Sequence, residues 1–94
     1  MYEWDEAKRE TNLRKHGFDF DDADSVYESL EKITFKEVGR GEQRWRDLAP
    51  VEWAGSLLSL VYTVRGYNIR IISFRKASRR ERRIYDNFRA TKQD

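Results

Sequence analysis

Apolar residues recur along the chain with two different periods, and these divide it into helical and extended segments. After a short extended start at Tyr2 to Trp4, a helix is predicted from Asp5, which can cap its first turn, to His16. Gly17 follows and suits the left-handed conformation that ends many helices. The first element is therefore a capped helix near the N-terminus.

A second helix is predicted after Asp19, whose side chain forms a capping-box-like pair with Asp22. Its apolar residues share one helical face: Phe20, Ala23, Tyr27 and Leu30. We expect this face to pack on the core. The clustered Asp residues lie at helix-start positions and lack the spacing of a calcium-binding loop, so they predict no metal site.

From residue 32 the apolar period shortens to two, which is typical of β-strands. Lys32 to Val38 alternates and ends in a turn predicted at Gly39 and Gly41. Arg44 to Trp53 then predicts an irregular strand that Pro50 interrupts. Because proline cannot donate to a sheet ladder, we expect this strand to lie at a sheet edge or to carry a bulge.

The strongest strand patterns lie at Ser56 to Arg65 and Asn68 to Arg75, with a two-residue turn between them. A last helix is predicted from Ser78 to about Phe88, because Ser78 and Glu81 match the S-x-x-E capping box. The whole chain of 94 residues is expected to be one α+β domain. It would hold two N-terminal helices, a twisted antiparallel sheet of about four strands and a C-terminal helix.

The charge distribution gives the first indication of function. The net charge is only +2, but residues from Arg65 onward carry ten Lys or Arg against three Asp or Glu, whereas the preceding residues carry nine against fourteen. Such asymmetry is typical of a domain that meets nucleic acid or an acidic partner. A solvated basic helix would give the same pattern, so charge alone leaves both interpretations open.

Several chemistries are excluded by composition. The absence of cysteine removes disulfides and Cys-ligated zinc, and it favours a reducing cytoplasm. His16 is the single histidine, so neither a histidine pair nor a histidine metal cluster is available. No apolar run approaches the roughly 20 residues of a membrane helix. We expect a cytoplasmic protein that uses no metal and no cofactor.

The turn between the two strongest strands defines a candidate site. A two-residue connection sets Arg65 opposite Asn68 and Thr63 opposite Arg70, so two arginines and a hydroxyl share one sheet face. The apolar residues that alternate with them lie on the other sheet face, which we expect to pack on the core. Arginine is also common on an ordinary solvated sheet face, so a functional role is a hypothesis here.

Four further residues could act beside this face. Arg75 precedes the capping box and can either bind an anion at the helix N-terminus or form an ion pair with Glu81. Glu81 itself is either a cap, the commoner use of its motif, or a general base. Tyr85 is a candidate proton donor or a core aromatic, and His16 is a candidate proton carrier or a charge that stabilises its helix end.

A series of short motifs runs along most of the chain. In order they are Trp4-Asp5-Glu6-Ala7-Lys8, Asn12-Leu13 with Lys15-His16-Gly17, Phe20 with Ala23, Val61-Tyr62-Thr63 with Arg65-Gly66, Ile69-Arg70-Ile71-Ile72-Ser73, Arg75-Lys76-Ala77, and Glu81-Arg82-Arg83 with Tyr85. Together they resemble the BrnT family of ribonuclease toxins. The stretch from Arg46 to Ala54 and Phe74 depart from the family's pattern.

This resemblance implies a RelE-like fold and a bacterial toxin and antitoxin pair. The partner would be a BrnA-like antitoxin with a ribbon-helix-helix region, which would form a hetero-oligomer with the toxin and provide its only contact with DNA. The RNA substrate would be cut by its own 2′-hydroxyl, which needs no metal because the nucleophile is tethered beside the phosphate. Rival interpretations are a non-catalytic nucleic-acid-binding domain and a basic partner-binding module.

Each candidate residue has a hypothesised role in that reaction. Arg65, Arg70 and Arg75 would stabilise the negative charge of the transition state. His16, Glu81 or Tyr85 would transfer protons, and the sequence does not choose among them. The RNA strand would be held by Lys8 and by four arginines of the last helix, Arg79, Arg80, Arg82 and Arg83.

Overall fold

The computed structural model describes residues 1–39 and 41–92, and the turn predicted around residue 40 lies partly outside them. The elements in chain order are β1 (Tyr2–Glu3), α1 (Glu6–His16), α2 (Asp24–Tyr27), β2 (Ile33–Glu37), β3 (Arg44–Val51), β4 (Ser56–Arg65), β5 (Asn68–Lys76) and α3 (Arg79–Lys92). The strands form a sheet in the order β1-β5-β4-β3-β2. No helix of the described residues is long and apolar enough to cross a membrane.

The first helix matches its prediction at both ends. The Asp5 side chain accepts a hydrogen bond from the backbone N–H of Lys8 at 3.1 Å. Gly17 adopts a φ of 80° and donates its backbone N–H to the carbonyl of Leu13. Only glycine adopts this conformation without strain, which is why the helix stops where the sequence predicts.

The second helix is shorter than predicted and presents a different face. The chain forms a 3₁₀ turn at Phe20–Asp22, and α2 then lasts only four residues. Asp19 caps the backbone of Asp21 and forms no capping box with Asp22. Because a 3₁₀ turn has three residues per turn, it shifts the helical phase. Val26 is consequently buried, and Leu30, predicted to face the core, is fully exposed.

The sheet has five strands instead of about four, and it is mixed instead of wholly antiparallel. β1 is only two residues long and pairs in parallel with β5, which a sequence period cannot detect. β3 is an interior strand and pairs with β2 and β4 without a register shift, so the prediction of an edge position or a bulge is wrong. Pro50 is tolerated because β2 pairs only as far as Leu48, leaving Pro50 with β4 as its single neighbour.

The hairpin of β4 and β5 has the predicted register, with Arg65 opposite Asn68 and Thr63 opposite Arg70. The pairing becomes irregular further along the two strands. Tyr62 pairs with Ile71 and Val61 pairs with Ser73, so Ile72 of β5 has no partner in β4. An extra residue of this kind is a β-bulge. It reverses the inward and outward alternation of every later residue in β5.

The two faces of the sheet are covered unequally. The N-terminal helices pack on one face over the larger apolar core, whose largest fully buried members are Phe20, Phe74, Leu58, Leu60, Ile71 and Val26. On the other face, Tyr85 of α3 packs with a smaller cluster made of Ile33, Leu48 and Leu57. Most of the other side chains on that second face are polar or charged, and they include the candidate site.

Candidate active site on the arginine-bearing sheet face

The second sheet face carries five arginines, which we call the arginine face: Arg44, Arg46, Arg65, Arg70 and Arg75. Their shared orientation follows from the strand register, because directly opposed residues point to the same side. Arg70 and Arg75 lie five positions apart, and in a regular strand they would point to opposite faces. The bulge at Ile72 brings both to the arginine face.

The predicted capping box forms, and it also positions Arg75. The backbone N–H of Glu81 donates to the Ser78 hydroxyl at 3.1 Å, and the N–H of Ser78 donates to Glu81 Oε1 at 2.8 Å. The same carboxylate accepts two hydrogen bonds from the Arg75 guanidinium, at 2.8 and 2.9 Å. Glu81 is therefore the helix cap of its two interpretations, and it also forms the ion pair that was one of the two interpretations of Arg75.

Arg46 joins this arrangement, and the sequence analysis did not select it. Its guanidinium donates to both carboxylate oxygens of Glu37 at 2.8 and 3.0 Å and lies 3.1 Å from Glu81 Oε2. It also donates to the hydroxyl of Ser59. We call Arg75, Glu81, Arg46 and Glu37 the inner cluster. Strand alternation over β3 could have placed Arg46 on the candidate face, had β3 been recognised as a regular interior strand.

A second group lies at the turn end of the same face, and we call it the hairpin cluster. Arg65 donates to both oxygens of Glu42, at 2.9 and 2.6 Å. Arg70 donates to Glu3 at 2.9 Å, and Glu3 reaches this position because β1 pairs with β5. Neither carboxylate was selected from the sequence, because the position of Glu42 depends on a loop conformation and that of Glu3 on the pairing of β1 with β5.

Thr63 differs from its prediction. Its side chain points to the arginine face, but only 2% of the residue is exposed, and its hydroxyl donates to the Gln43 carbonyl at 2.7 Å. The backbone before β3 covers it. Thr63 therefore supports the loop next to the arginines and offers no free hydroxyl.

The ion pairs of the inner cluster hold its carboxylates ionised. Burial alone would raise the pKa of Glu81, but hydrogen bonds from Arg75 and from the Ser78 backbone outweigh burial and lower this pKa below its ordinary value. The Arg46 guanidinium likewise lowers the pKa of Glu37. A carboxylate with a lowered pKa is a weak general base at neutral pH. Glu81 is better suited to orienting guanidinium groups than to removing a proton.

Tyr85 is the core aromatic of its two interpretations. Only 7% of the residue is exposed, and its hydroxyl donates to the Glu31 carbonyl at 2.7 Å. Burial raises the pKa of this phenol. It lines a groove together with Pro50 and Leu57, and Glu81 is not among the residues that line this groove.

His16 lies at the exposed end of α1 and borders the edge of β5. It lines a shallow groove of about 190 Å³ with Lys8, Lys15 and Ser73. Ser73 is on the same side of β5 as Arg75, two residues away. The groove therefore connects the single histidine and Lys8 to the border of the arginine face.

The four arginines proposed to hold RNA, Arg79, Arg80, Arg82 and Arg83, are all exposed on α3. They do not form one stripe. Arg80 lines a groove together with Arg46 and Glu81, whereas Arg82 lines the groove on the Tyr85 side. The described residues hold no group of three His, Cys, Asp or Glu side chains arranged to bind a metal ion.

The structure has an α+β fold with several guanidinium groups on one sheet face, a chemistry that suits phosphate-bearing ligands. Comparison with protein families identifies it further. The family model described as "Ribonuclease toxin, BrnT, of type II toxin-antitoxin system" matches residues 4–81. The chain therefore belongs to the BrnT family of ribonuclease toxins. No curated protein matches the chain significantly.

The matched range includes all five residues of the arginine face and Glu81, and it ends before Tyr85. Membership of a type II toxin-antitoxin family also implies that an antitoxin protein is the partner of this chain. The sequence resemblance and the family comparison thus agree on a ribonuclease toxin.

Proposed function

We propose that this toxin is an endoribonuclease that cleaves RNA without a metal, by attack of a 2′-hydroxyl on the adjacent phosphate. The oxygen–phosphorus bond to the 2′-oxygen forms as the bond to the 5′-oxygen breaks, leaving a 2′,3′-cyclic phosphate and a 5′-hydroxyl. The tethered nucleophile needs positioning and charge neutralisation above all. The observation that carries the proposal is the convergence of five arginines on one open sheet face beside the N-terminus of α3.

Arg70 and Arg75 are the proposed charge stabilisers. Glu81 fixes the Arg75 guanidinium from one side, as oriented transition-state stabilisation requires. Within the described part of the chain, Arg70 donates to Glu3 through Nη1, which leaves its other N–H groups available to phosphate oxygens. Arg65, with a more exposed side chain, would exchange Glu42 for a neighbouring phosphate.

His16 is our choice for proton transfer. Imidazole can both accept and donate a proton near neutral pH. By contrast, the carboxylate of Glu81 is held ionised and the hydroxyl of Tyr85 is bound to a backbone carbonyl. The groove that His16 shares with Lys8 borders the arginine face, so an RNA strand crossing that face could pass both side chains.

RNA binding outside the reacting phosphate is assigned to Lys8 and the exposed arginines of α3, namely Arg79, Arg80, Arg82 and Arg83. Such contacts depend on salt, because each neutralised phosphate releases counterions. They would determine affinity more than the rate of the chemical step.

For the antitoxin, we propose a BrnA-like protein with a ribbon-helix-helix region that covers the arginine face. Carboxylates on the antitoxin would replace phosphate at the same guanidinium groups and would accelerate association by electrostatic attraction. DNA would be bound through the antitoxin alone. RNA should then compete with the antitoxin at low salt. Binding of the antitoxin that leaves Arg65, Arg70 and Arg75 reactive towards an arginine-modifying reagent would contradict this.

One assay tests the reaction directly. Purified toxin is incubated with defined RNA in EDTA, and the products are analysed for 2′,3′-cyclic phosphate ends. Cleavage in EDTA with such ends supports the proposal. Cleavage that is lost in EDTA and restored by a divalent ion would overturn the metal-free mechanism. RNA retention without any cleavage would instead indicate a non-catalytic binding domain. The absence of both retention and cleavage would indicate a partner-binding module.

A further inference from the structure

A groove of about 320 Å³ opens between β2 and the first turns of α3, beside the inner cluster. This is within the size range of small-molecule sites. Its lining combines apolar and charged side chains: Phe35, Glu37, Val38, Arg46, Glu81 and Ile84. Arg46 and Glu81 belong to the inner cluster as well, so the groove is continuous with the candidate active site.

We propose that this groove is a nucleobase subsite of the toxin, and that Glu37 selects bases that carry an exocyclic amino group. The inference rests on the proposed ribonuclease function, and it identifies the part of the protein that would read RNA sequence. Four observations support it, namely the shape of the lining, the free acceptor capacity of Glu37, the charge of the rim and the link to Arg75.

The apolar lining suits a flat aromatic ligand. Phe35 is partly buried and packs on the smaller apolar cluster, Ile84 of α3 is 36% exposed, and Val38 is almost completely exposed. Single-stranded RNA is commonly recognised by unstacked bases that pack on such side chains. A base held here would cover apolar surface that otherwise contacts water.

The two carboxylates of the groove differ in what they can still bind. Glu81 already accepts hydrogen bonds from the Arg75 guanidinium and the Ser78 backbone, and it contacts Arg46 as well. Glu37 has hydrogen bonds only from Arg46, one to each oxygen, among the partners found in the described residues. Since each carboxylate oxygen can accept two hydrogen bonds, Glu37 retains acceptor capacity.

An ionised carboxylate accepts hydrogen bonds and donates none, which determines the kind of base it favours. The exocyclic amino groups of cytosine, adenine and guanine can donate to Glu37, as glutamate does accept from cytosine in nucleic-acid complexes. Uracil has no amino group, and its one donor on the pairing edge, N3–H, lies between two carbonyl oxygens that a carboxylate repels. Glu37 should therefore discriminate against uracil.

The rim of the groove suits the backbone on either side of such a base. Lys36 and Arg80 lie at its border, and both are exposed. They can contact phosphates of the same strand without sequence preference. The strand would then run from this groove past Arg46 and Glu81 to Arg75, which places the selected base next to the cleaved phosphate.

The test is the base distribution around the cut in a pool of RNA with all sequence contexts, sequenced at the cleaved ends and normalised to total cleavage. The wild type should disfavour uracil by about 10-fold or more at one fixed position, the scale of a good base contact. Glu37→Gln and Phe35→Leu should each reduce this preference to about twofold or less. Glu31→Gln, a carboxylate change on the other side of α3, should leave the distribution unchanged.

The preference is also measured by binding, so that it does not depend on cleavage. Fluorescence anisotropy is used with 2′-O-methyl oligonucleotides, which cannot be cleaved, carrying cytosine or uracil at the tested position. A cytosine preference lost in Glu37→Gln supports the subsite even if no RNA is cleaved. Cleavage with equal use of all bases, or a preference that both groove variants retain, would overturn the subsite while leaving the ribonuclease proposal intact. Absence of both cleavage and RNA binding would overturn both.

Discussion

The inner cluster and the hairpin cluster have the same composition, two arginines and two glutamates each, on the same sheet face. They differ in the burial of one ion pair each. The other members are alike: the side chains of Arg75 and Glu37 are 26% and 29% exposed, and those of Arg70 and Glu3 are 28% and 30% exposed. In the inner cluster, the side chains of Arg46 and Glu81 are each 12% exposed. In the hairpin cluster, the Arg65 and Glu42 side chains are 48% and 46% exposed. Two clusters of the same composition therefore contain ion pairs that differ in their exposure to water.

The difference matters because water and salt determine the strength of an ion pair. Exposed pairs are weakened by the high dielectric constant of water and by salt, and most of them contribute little to stability. A buried pair gains more from mutual attraction, and removal of one partner leaves a charge without compensation. Arg46 and Glu81 should thus be held rigidly, whereas Arg65 can exchange Glu42 for a phosphate.

The first prediction removes the central charge of the inner cluster. Arg46→Ala should lower the free energy of unfolding by on the order of 3 kcal/mol, because Glu37 and Glu81 lose their shared partner in a partly buried site. The measurement is denaturation in urea. A loss no larger than that of a surface substitution would show that the two clusters do not differ as their burial indicates.

The second prediction separates catalysis from binding. Arg75→Ala should reduce cleavage by about 10²-fold, the usual effect of removing a transition-state charge stabiliser. Arg83→Ala, the matched change on an exposed turn of α3, should mainly weaken RNA binding and reduce its salt dependence. Single-turnover rates and salt titrations measure both variants. Equal damage by the two changes would contradict the separation.

The third prediction concerns acid. The pKa values of Glu37 and Glu81 are lowered in the folded protein, so their ion pairs stabilise it above the ordinary carboxyl pKa of 4.5. This stabilisation should disappear as the pH falls below about 4.5 and through the folded pKa values. The free energy of unfolding, followed from pH 7 downward, should decrease less steeply in Glu81→Gln. An equal slope in wild type and variant would contradict the argument.

The fourth prediction has the smallest expected effect. Arg65→Ala removes an exposed pair and should leave the urea midpoint unchanged at high salt, with at most a slight decrease at low salt. Urea denaturation at two salt concentrations measures this. A decrease similar to that of Arg46→Ala, and independent of salt, would show that the hairpin cluster is also structural.

Local chemistry was sufficient for several of the elements above. The caps of α1 at Asp5 and Gly17, and the capping box of α3, depend on backbone groups only a few residues away. The hairpin register follows from its two-residue turn, so the pairing of Thr63 with Arg70 could be predicted. The end of the second helix could not be predicted in this way. Val26 and Leu30 both fit a helical period, although Val26 is buried in α2 and Leu30 lies beyond it and is exposed.

What only the tertiary structure decided is which residues form the candidate site. The bulge at Ile72 brings Arg75 to the face of Arg70, although their spacing in sequence indicates opposite faces. Arg46 enters the site because β3 is an interior strand. The sequence by itself determined the family motifs, the capped helices and the basic C-terminal third, because these depend on composition and near neighbours. The grouping of the arginines depends on the register of strands that are distant in the chain, and no local pattern contains that information.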